Sequence, residues 1–213
     1  MSTASTEPVP ARPAPRLGII LPARDEAAAL PGLLGEIRDV LDARAIDAEV
    51  IVVDDGSRDA TAACGVAAAD WDVRFRVVSV RTSEPAAAGG QTMALACGIA
   101  AARGTVVAML DADGQNDPAD LPRLLDRFNA GDVDLVQGDR TASRCDGWRR
   151  RVASAVGRAA RRAILGDRVR DTGCTLRVID ADVARALPLD RPGMHRFIPV
   201  LAASAGARIA ERP

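Results

Sequence analysis

An apolar run breaks off at two aspartates spaced one residue apart in VVAMLDADGQNDP, Val106 to Pro118. Carboxylates at the end of a buried strand put fixed negative charge at the carboxyl edge of a sheet, where open α/β folds bind ligands. Asp111 and Asp113 would suit a hard divalent cation, which in turn would hold a diphosphate. The same residues also fit a strand followed by an Asp-Gly turn, and their spacing alone leaves both readings open. Asp54 and Asp55 stand in a similar place, at the end of a second apolar run and before Gly56.

The elements needed to position such groups can be read from periodicity. Leu17 to Leu21 predicts a strand halted by Pro22, and Ala28 to Ala45 a helix with Leu30, Leu33, Leu34, Ile37 and Leu41 on one face. Glu49 to Val53 predicts a second strand, after which Ser57 or Asp59 would cap a helix. Val73 to Val80 reads as a third strand, Gln91 to Arg103 as a helix and Thr105 to Leu110 as the strand that delivers Asp111. Asp117 would cap a helix begun at Pro118, with Leu121, Leu124, Leu125 and Phe128 on one face, before a strand over Asp134 to Gln137. A loop at Asp171 to Gly173, a strand after it, a helix around Pro199 and a short strand over Ala207 to Glu211 complete the chain. Alternating strands and helices predict a largely parallel α/β sheet in one domain over residues 17–213, behind a Pro-, Ser- and Thr-rich leader, 1–16.

Composition narrows the chemistry. There is no lysine among the 213 residues, which excludes a P-loop lysine and a Schiff base. Net charge is -1, so no global field selects nucleic acid or an acidic polymer. Aromatic residues are 2% of the chain, too few for the stacking platforms of single-strand binders. Four scattered cysteines form no C-x-x-C pair, which argues against a zinc site. Cys174 reads as a small packed side chain. No apolar run reaches the roughly 18 to 20 residues that span a bilayer.

Basic charge is concentrated locally. From Arg140 to Arg170 ten arginines stand against two acids, with Trp148, Val152, Val156, Ala160 and Ile164 on one helical stripe. A helix with a solvated arginine face and a surface helix lying on anionic lipid headgroups both fit that pattern.

PARDE at Pro22 to Glu26, VVDDGS at Val52 to Ser57, DADGQ at Asp111 to Gln115, GDR at Gly138 to Arg140, DTGC at Asp171 to Cys174 and MHRFIP at Met194 to Pro199 occur in a specific order. Together they resemble the family 2 glycosyltransferases of the GT-A fold, in particular dolichol-phosphate mannosyltransferases and bacterial relatives acting on undecaprenyl phosphate. The resemblance covers nearly all of Leu17 to Pro213 and implies a Rossmann-like single domain with a mixed, mostly parallel sheet. It places nucleotide contacts on Pro22, Ala23, Arg24, Glu26, Val53 and Asp55. Its metal and diphosphate site, for Mg2+ or Mn2+, falls on Asp111, Ala112, Asp113 and Gln115, and its donor-phosphate arginine on Arg140.

The implied reaction is inverting transfer of a sugar from a nucleotide-sugar donor to polyprenyl phosphate at the cytosolic membrane face, the protein being peripheral or held by an anchoring partner. A lipid phosphate is already ionised near neutral pH, so positioning would carry the rate. A hydroxyl acceptor in polysaccharide or glycolipid synthesis would instead need a base, for which Asp171 stands best placed. Arg144, Arg149 and Arg150 would attract the lipid phosphate and the membrane surface. His195 and Arg196 are read either as acceptor contacts or as structural groups. Two departures stand out. Arg24 replaces a tyrosine common in the family, leaving the base open, and relatives continue past Glu211-Arg212-Pro213 into a basic loop, which makes a truncated, inactive binding module the alternative function.

Overall fold

The computed structural model of the chain describes residues 16–80, 90–139 and 174–212. Its elements run β1 (Leu17–Ala23), α1 (Leu30–Ala43), β2 (Ala48–Asp54), α2 (Thr61–Trp71), β3 (Phe75–Ser79), α3 (Gly90–Ala101), β4 (Val106–Met109) and α4 (Leu121–Asn129), the last entered through a 3-10 turn at Pro118–Asp120. After β5 (Leu135–Gly138) come β6 (Arg177–Asp180), α5 (Ala181–Ala186), a 3-10 turn at Met194–Phe197, α6 (Ile198–Ser204) and β7 (Ile209–Arg212). The arginine-rich stretch 140–170, with Arg140, Arg144, Arg149 and Arg150, lies outside the described residues, as do Asp171 and the expected leader up to residue 15.

The seven strands form one sheet in the order β3-β2-β1-β4-β6-β5-β7. β1 to β4 pair in parallel. β6 runs antiparallel to both β4 and β5, and β7 is parallel to β5. The sheet is therefore mixed and mostly parallel, as expected, with its reversal beside the strand that carries Asp111.

Each sheet face is covered. On one, α1 buries Leu30, Leu33, Leu34, Ile37 and Leu41, all five expected positions, against Ile19, Leu21, Val50 and Val52, with Leu121 and Leu124 of α4 beside them. On the other, Ala94, Leu95 and Ile99 of α3 pack with Ile20, Ile51, Val53 and Val107, joined by α5 and α6. Strand residues alternate between the two faces because the side-chain period is two.

Pro22 does not halt β1. The strand continues to Ala23, with Pro22 opposite Val53. Even-numbered residues of β1 turn their backbone groups towards β4, as the Leu110 N–H donating to the Ile20 carbonyl shows. Pairing with β4 ends at Ile20 opposite Met109. The donor that proline lacks thus falls where the ladder has already stopped, and the edge-like position tolerates it.

Helix α5 had no counterpart in the periodicity. At six residues it is too short to show a repeat, yet Asp180 accepts from the N–H groups of Asp182 and Val183 as its N-cap. The Asp180-x-Asp182 pattern was the available signal.

Candidate active site

The carboxyl ends of β1, β2 and β4 open onto a cleft of about 310 Å3 lined by Pro22, Ala23, Arg24, Glu26, Asp55, Gly90, Gln91, Ala94, Asp111, Ala112 and Asp113. Eight of the sequence-derived site residues meet there. Val53 does not line it, since its side chain is buried in the core against α3. Gln115 is exposed, with its backbone N–H donating to Asp113 Oδ1 at 3.0 Å. His195 and Arg196 sit on the 3-10 turn at Met194–Phe197, outside the lining.

The first wall is built by two loops laced together. Asp25 N–H donates to Ser57 Oγ, Arg58 N–H to Asp25 Oδ1, Glu26 N–H to Thr61 Oγ1 and Ala27 N–H to Asp59 Oδ2, at 2.7 to 3.1 Å. Asp25 takes a left-handed φ of 56°, which aspartate tolerates better than most residues. Ser57 therefore serves this crosslink, while Asp59 accepts from Thr61 N–H at the start of α2.

Asp55 is 5% exposed, and its N–H donates to the Ala23 carbonyl at 2.9 Å. Arg24 approaches its carboxylate at 3.7 Å. Burial pushes the Asp55 carboxyl above its ordinary range, and repulsion from Asp54 adds to this, while Arg24 and the Gly90 N–H work the other way. A carboxylate so placed can accept from a base imide or a ribose hydroxyl.

The second wall is Asp111 to Asp113, followed by a turn at Gly114 with φ 74°. Both oxygens of Asp111 are engaged. Gln91 Nε2 donates to Oδ1 and Thr175 Oγ1 to Oδ2, each at 2.6 Å. Thr175 in turn accepts from Asn116 Nδ2 at 2.7 Å. Asn116 is 4% exposed, and among the described residues its Oδ1 has no partner. An amide flip would not help, because Thr175 must donate to the carboxylate and so must accept from the amide N–H. Gln91, Thr175 and Asn116 were not found from the sequence, for they lie 20, 64 and 59 residues from the groups they bond.

Negative charge accumulates between the walls. Burial raises the Glu26 carboxyl above its ordinary value, and repulsion from Asp113, Asp59, Asp111 and Asp25 raises it further. A cation relieves such a cluster. Asp111 and Asp113 supply hard oxygen donors that fit a divalent ion. Among the described residues no three His, Cys, Asp or Glu side chains converge to cage one, so its remaining ligands would be phosphate oxygens and water.

Asp117 caps the Pro118–Asp120 turn by accepting from Ala119 N–H at 2.8 Å, and so belongs to the scaffold as expected. Cys174 is buried beside Gly138, where a Cβ would stand 2.9 Å from its Sγ.

Known proteins show the same architecture. The family model for glycosyl transferase family 2 matches residues 18–187. The undecaprenyl-phosphate 4-deoxy-4-formamido-L-arabinose transferase of Pseudomonas paraeruginosa is 35% identical over 186 residues, 87% of this chain and 53% of that protein. The dodecaprenyl-phosphate galacturonate synthase of Rhizobium johnstonii is 36% identical over 166 residues, 76% of this chain and 47% of that one. The chain thus spans about half the length of these relatives. Glucosyl-3-phosphoglycerate synthase of Mycobacterium tuberculosis, solved with Mn2+, UDP and phosphoglyceric acid, superposes with a TM-score of 0.68 at 24% identity, over 92% of this chain and 68% of that one. A mannosyltransferase from Pyrobaculum calidifontis, solved with GDP-Man and Mn2+, gives 0.65 at 20% identity, over 98% and 59%. Those two likenesses speak to the fold, which is GT-A. With a family match across most of its length and relatives above one third identity, the chain belongs to glycosyl transferase family 2.

Proposed function

We propose that the chain transfers a sugar from a nucleoside-diphosphate sugar to a polyprenyl phosphate, with inversion at the anomeric carbon. The observation that carries this reading is that one cleft is lined both by Asp55, suited to the nucleoside, and by Asp111 with Asp113, suited to the diphosphate. The acceptor class rests on the relatives, whose names specify undecaprenyl and dodecaprenyl phosphates.

In this reading a phosphate oxygen of the acceptor forms the new bond to the anomeric carbon as the bond to the departing nucleoside diphosphate breaks. A divalent cation, Mg2+ or Mn2+, supplies neutralisation of charge on that leaving group when bound. Asp111, fixed by Gln91 and Thr175, and the exposed Asp113 would hold it, with Gln115 as a companion. Arg140 would reach the donor phosphates. Arg144, Arg149 and Arg150 would draw the lipid phosphate and an anionic membrane surface together, putting the protein peripherally at the cytosolic face. Among the described residues no helix is long and apolar enough to cross a membrane.

Radiolabelled nucleotide sugars offered with undecaprenyl phosphate test the reading, the expected product being label that extracts into organic solvent. Label transferred but confined to the aqueous phase would point to a hydroxyl acceptor and to Asp171 as its base. Asp171→Asn then separates the two chemistries, since an ionised phosphate acceptor needs no base.

A further inference from the structure

Thr92, one residue beyond the cleft-lining Gln91 on α3, is 2% exposed and holds the turn that carries the chain's single histidine. Its Oγ1 lies 2.8 Å from His195 Nδ1. The same oxygen accepts from Gly193 N–H at 3.0 Å and, more distantly, from His195 N–H at 3.5 Å. From β6, the buried Arg177 donates to the His195 carbonyl at 3.0 Å and to Gln137 Oε1 at 2.9 Å. Two elements therefore bond both the Asp111 carboxylate and the 193–195 turn. α3 does so through Gln91 and Thr92, and the approach to β6 does so through Thr175 and Arg177.

The proton count decides the tautomer. A hydroxyl has one proton and two lone pairs. With its lone pairs turned to backbone N–H donors, Thr92 has its proton left to give, and among the described residues Nδ1 is the acceptor in reach. A proton on Nδ1 would aim a third donor at a buried oxygen and strand the hydroxyl proton, which is costly. Among the described residues His195 Nε2 has no hydrogen-bond partner, and the residue is partly exposed.

We propose that Thr92 is a positioning residue for glycosyl transfer: its hydroxyl donates to His195 Nδ1 and so fixes the imidazole as a neutral Nε2–H donor, aimed at an anionic oxygen of the acceptor. Burial, with Arg196 on its own turn and Arg177 on β6, lowers the imidazole's proton affinity and so favours its neutral form. α3 carries no acidic or basic side chain and reaches the imidazole through Thr92. The acceptor half of this proposal rests on the function proposed above, whereas the tautomer stands independently of it.

One histidine makes the test direct. Long-range 1H–15N spectra of the labelled full chain at neutral pH display one imidazole, and only Nε2 couples strongly to both ring carbon-bound protons. A protonated Nε2 and a bare Nδ1 are expected in the wild type and in Thr92→Ser, with Nδ1 moving towards a tautomer average in Thr92→Val. A protonated Nδ1 in the wild type, or an unchanged Thr92→Val spectrum, overturns the proposal. Undecaprenyl phosphate in detergent micelles should shift the Nε2 signal, and no response overturns the acceptor half. In turnover, Thr92→Val should raise the acceptor KM about tenfold, as for one lost hydrogen bond to an anion, while kcat and nucleoside diphosphate affinity stay within about twofold. His195→Gln, which can place an amide N–H near Nε2, should retain more activity than His195→Asn; the reverse order counts against the proposal. A wild type that transfers sugar to no lipid would contradict the proposed function while leaving the hydroxyl-imidazole bond to be judged by the spectra.

Discussion

Asp111 is a carboxylate whose orientation is set by its neighbours. Gln91 and Thr175 each take one oxygen at 2.6 Å, and Asn116 stands behind Thr175. Thr175→Val would leave the Asn116 amide without this acceptor and would remove the Thr175 donor from Asp111 Oδ2. We expect a loss of about 1 to 3 kcal/mol in stability and a larger proportional loss in turnover, with Thr175→Ser close to wild type in both. Equal thermal melting of the Val and wild-type proteins would contradict this. Glu26 offers the opposite case. Its carboxyl is raised by burial and by Asp113, Asp59 and Asp111, so its ionised form opposes folding at neutral pH, and the opposition fades as pH falls through the raised value and is gone below the ordinary glutamate range. Above the ordinary glutamate range Glu26→Gln should therefore raise the melting temperature while weakening binding of Mn2+ with a nucleoside diphosphate, the usual tension between stability and a charged site. Differential scanning calorimetry and titration calorimetry read the two effects separately.

α3 connects the cleft to the far edge of the sheet. Its first turn presents Gln91 to the cleft and Thr92 to the turn that carries His195. Just past its last turn, Arg103 N–H donates to Glu49 at 2.6 Å, and the Arg103 and Arg76 guanidinium groups pair with the same buried carboxylate. Between these ends Gly98 lies against β1, where a Cβ would come 2.4 Å from Ile20 Cγ2. Gly98→Ala should push the helix off the strand, costing about 1 to 3 kcal/mol and displacing Gln91, so that donor KM rises together with the loss of stability. An unchanged donor KM in a destabilised Gly98→Ala protein would show that α3 does not govern the cleft. The helix face of α1 and the strand-end carboxylates were legible because both are local patterns: a period of 3.6 residues, and an apolar run stopped by acids. The insertion of β6 antiparallel between β4 and β5, and the bonds from Thr175, Asn116 and Gln91, depend on residues far apart in the chain. No local period encodes them. Pro22 misled for a related reason, since its tolerance depends on where the neighbouring strand ends.

The molecule as a whole carries two sets of carboxylates with opposite pH behaviour. Burial opposes the charge on Glu49 and Asp72, but the Arg103 N–H and Arg76 guanidinium around Glu49, and Arg74 beside Asp72, outweigh it and hold both below their ordinary values. Arg208 holds Asp134 down to about 2. Groups depressed in the folded state contribute stability that is present above their unfolded values and lost as pH falls through the folded ones. Melting temperature should therefore drop as pH is lowered from the ordinary carboxylate range towards about 2, while Glu26 and Asp55 contribute in the opposite sense. Glu49→Gln should lower the starting stability and flatten the drop, and a pH-independent wild type would contradict the assignment. In the proposed reading the cleft has its leaving-group side in Asp111 and Asp113, and the acceptor would be met by His195. The most direct measurement is turnover of the full chain with Mn2+, undecaprenyl phosphate and a panel of labelled nucleotide sugars, run beside Asp113→Asn. Labelled lipid from the wild type and its loss in the variant are expected; lipid labelled equally by both proteins, or by neither across the panel, would contradict the account.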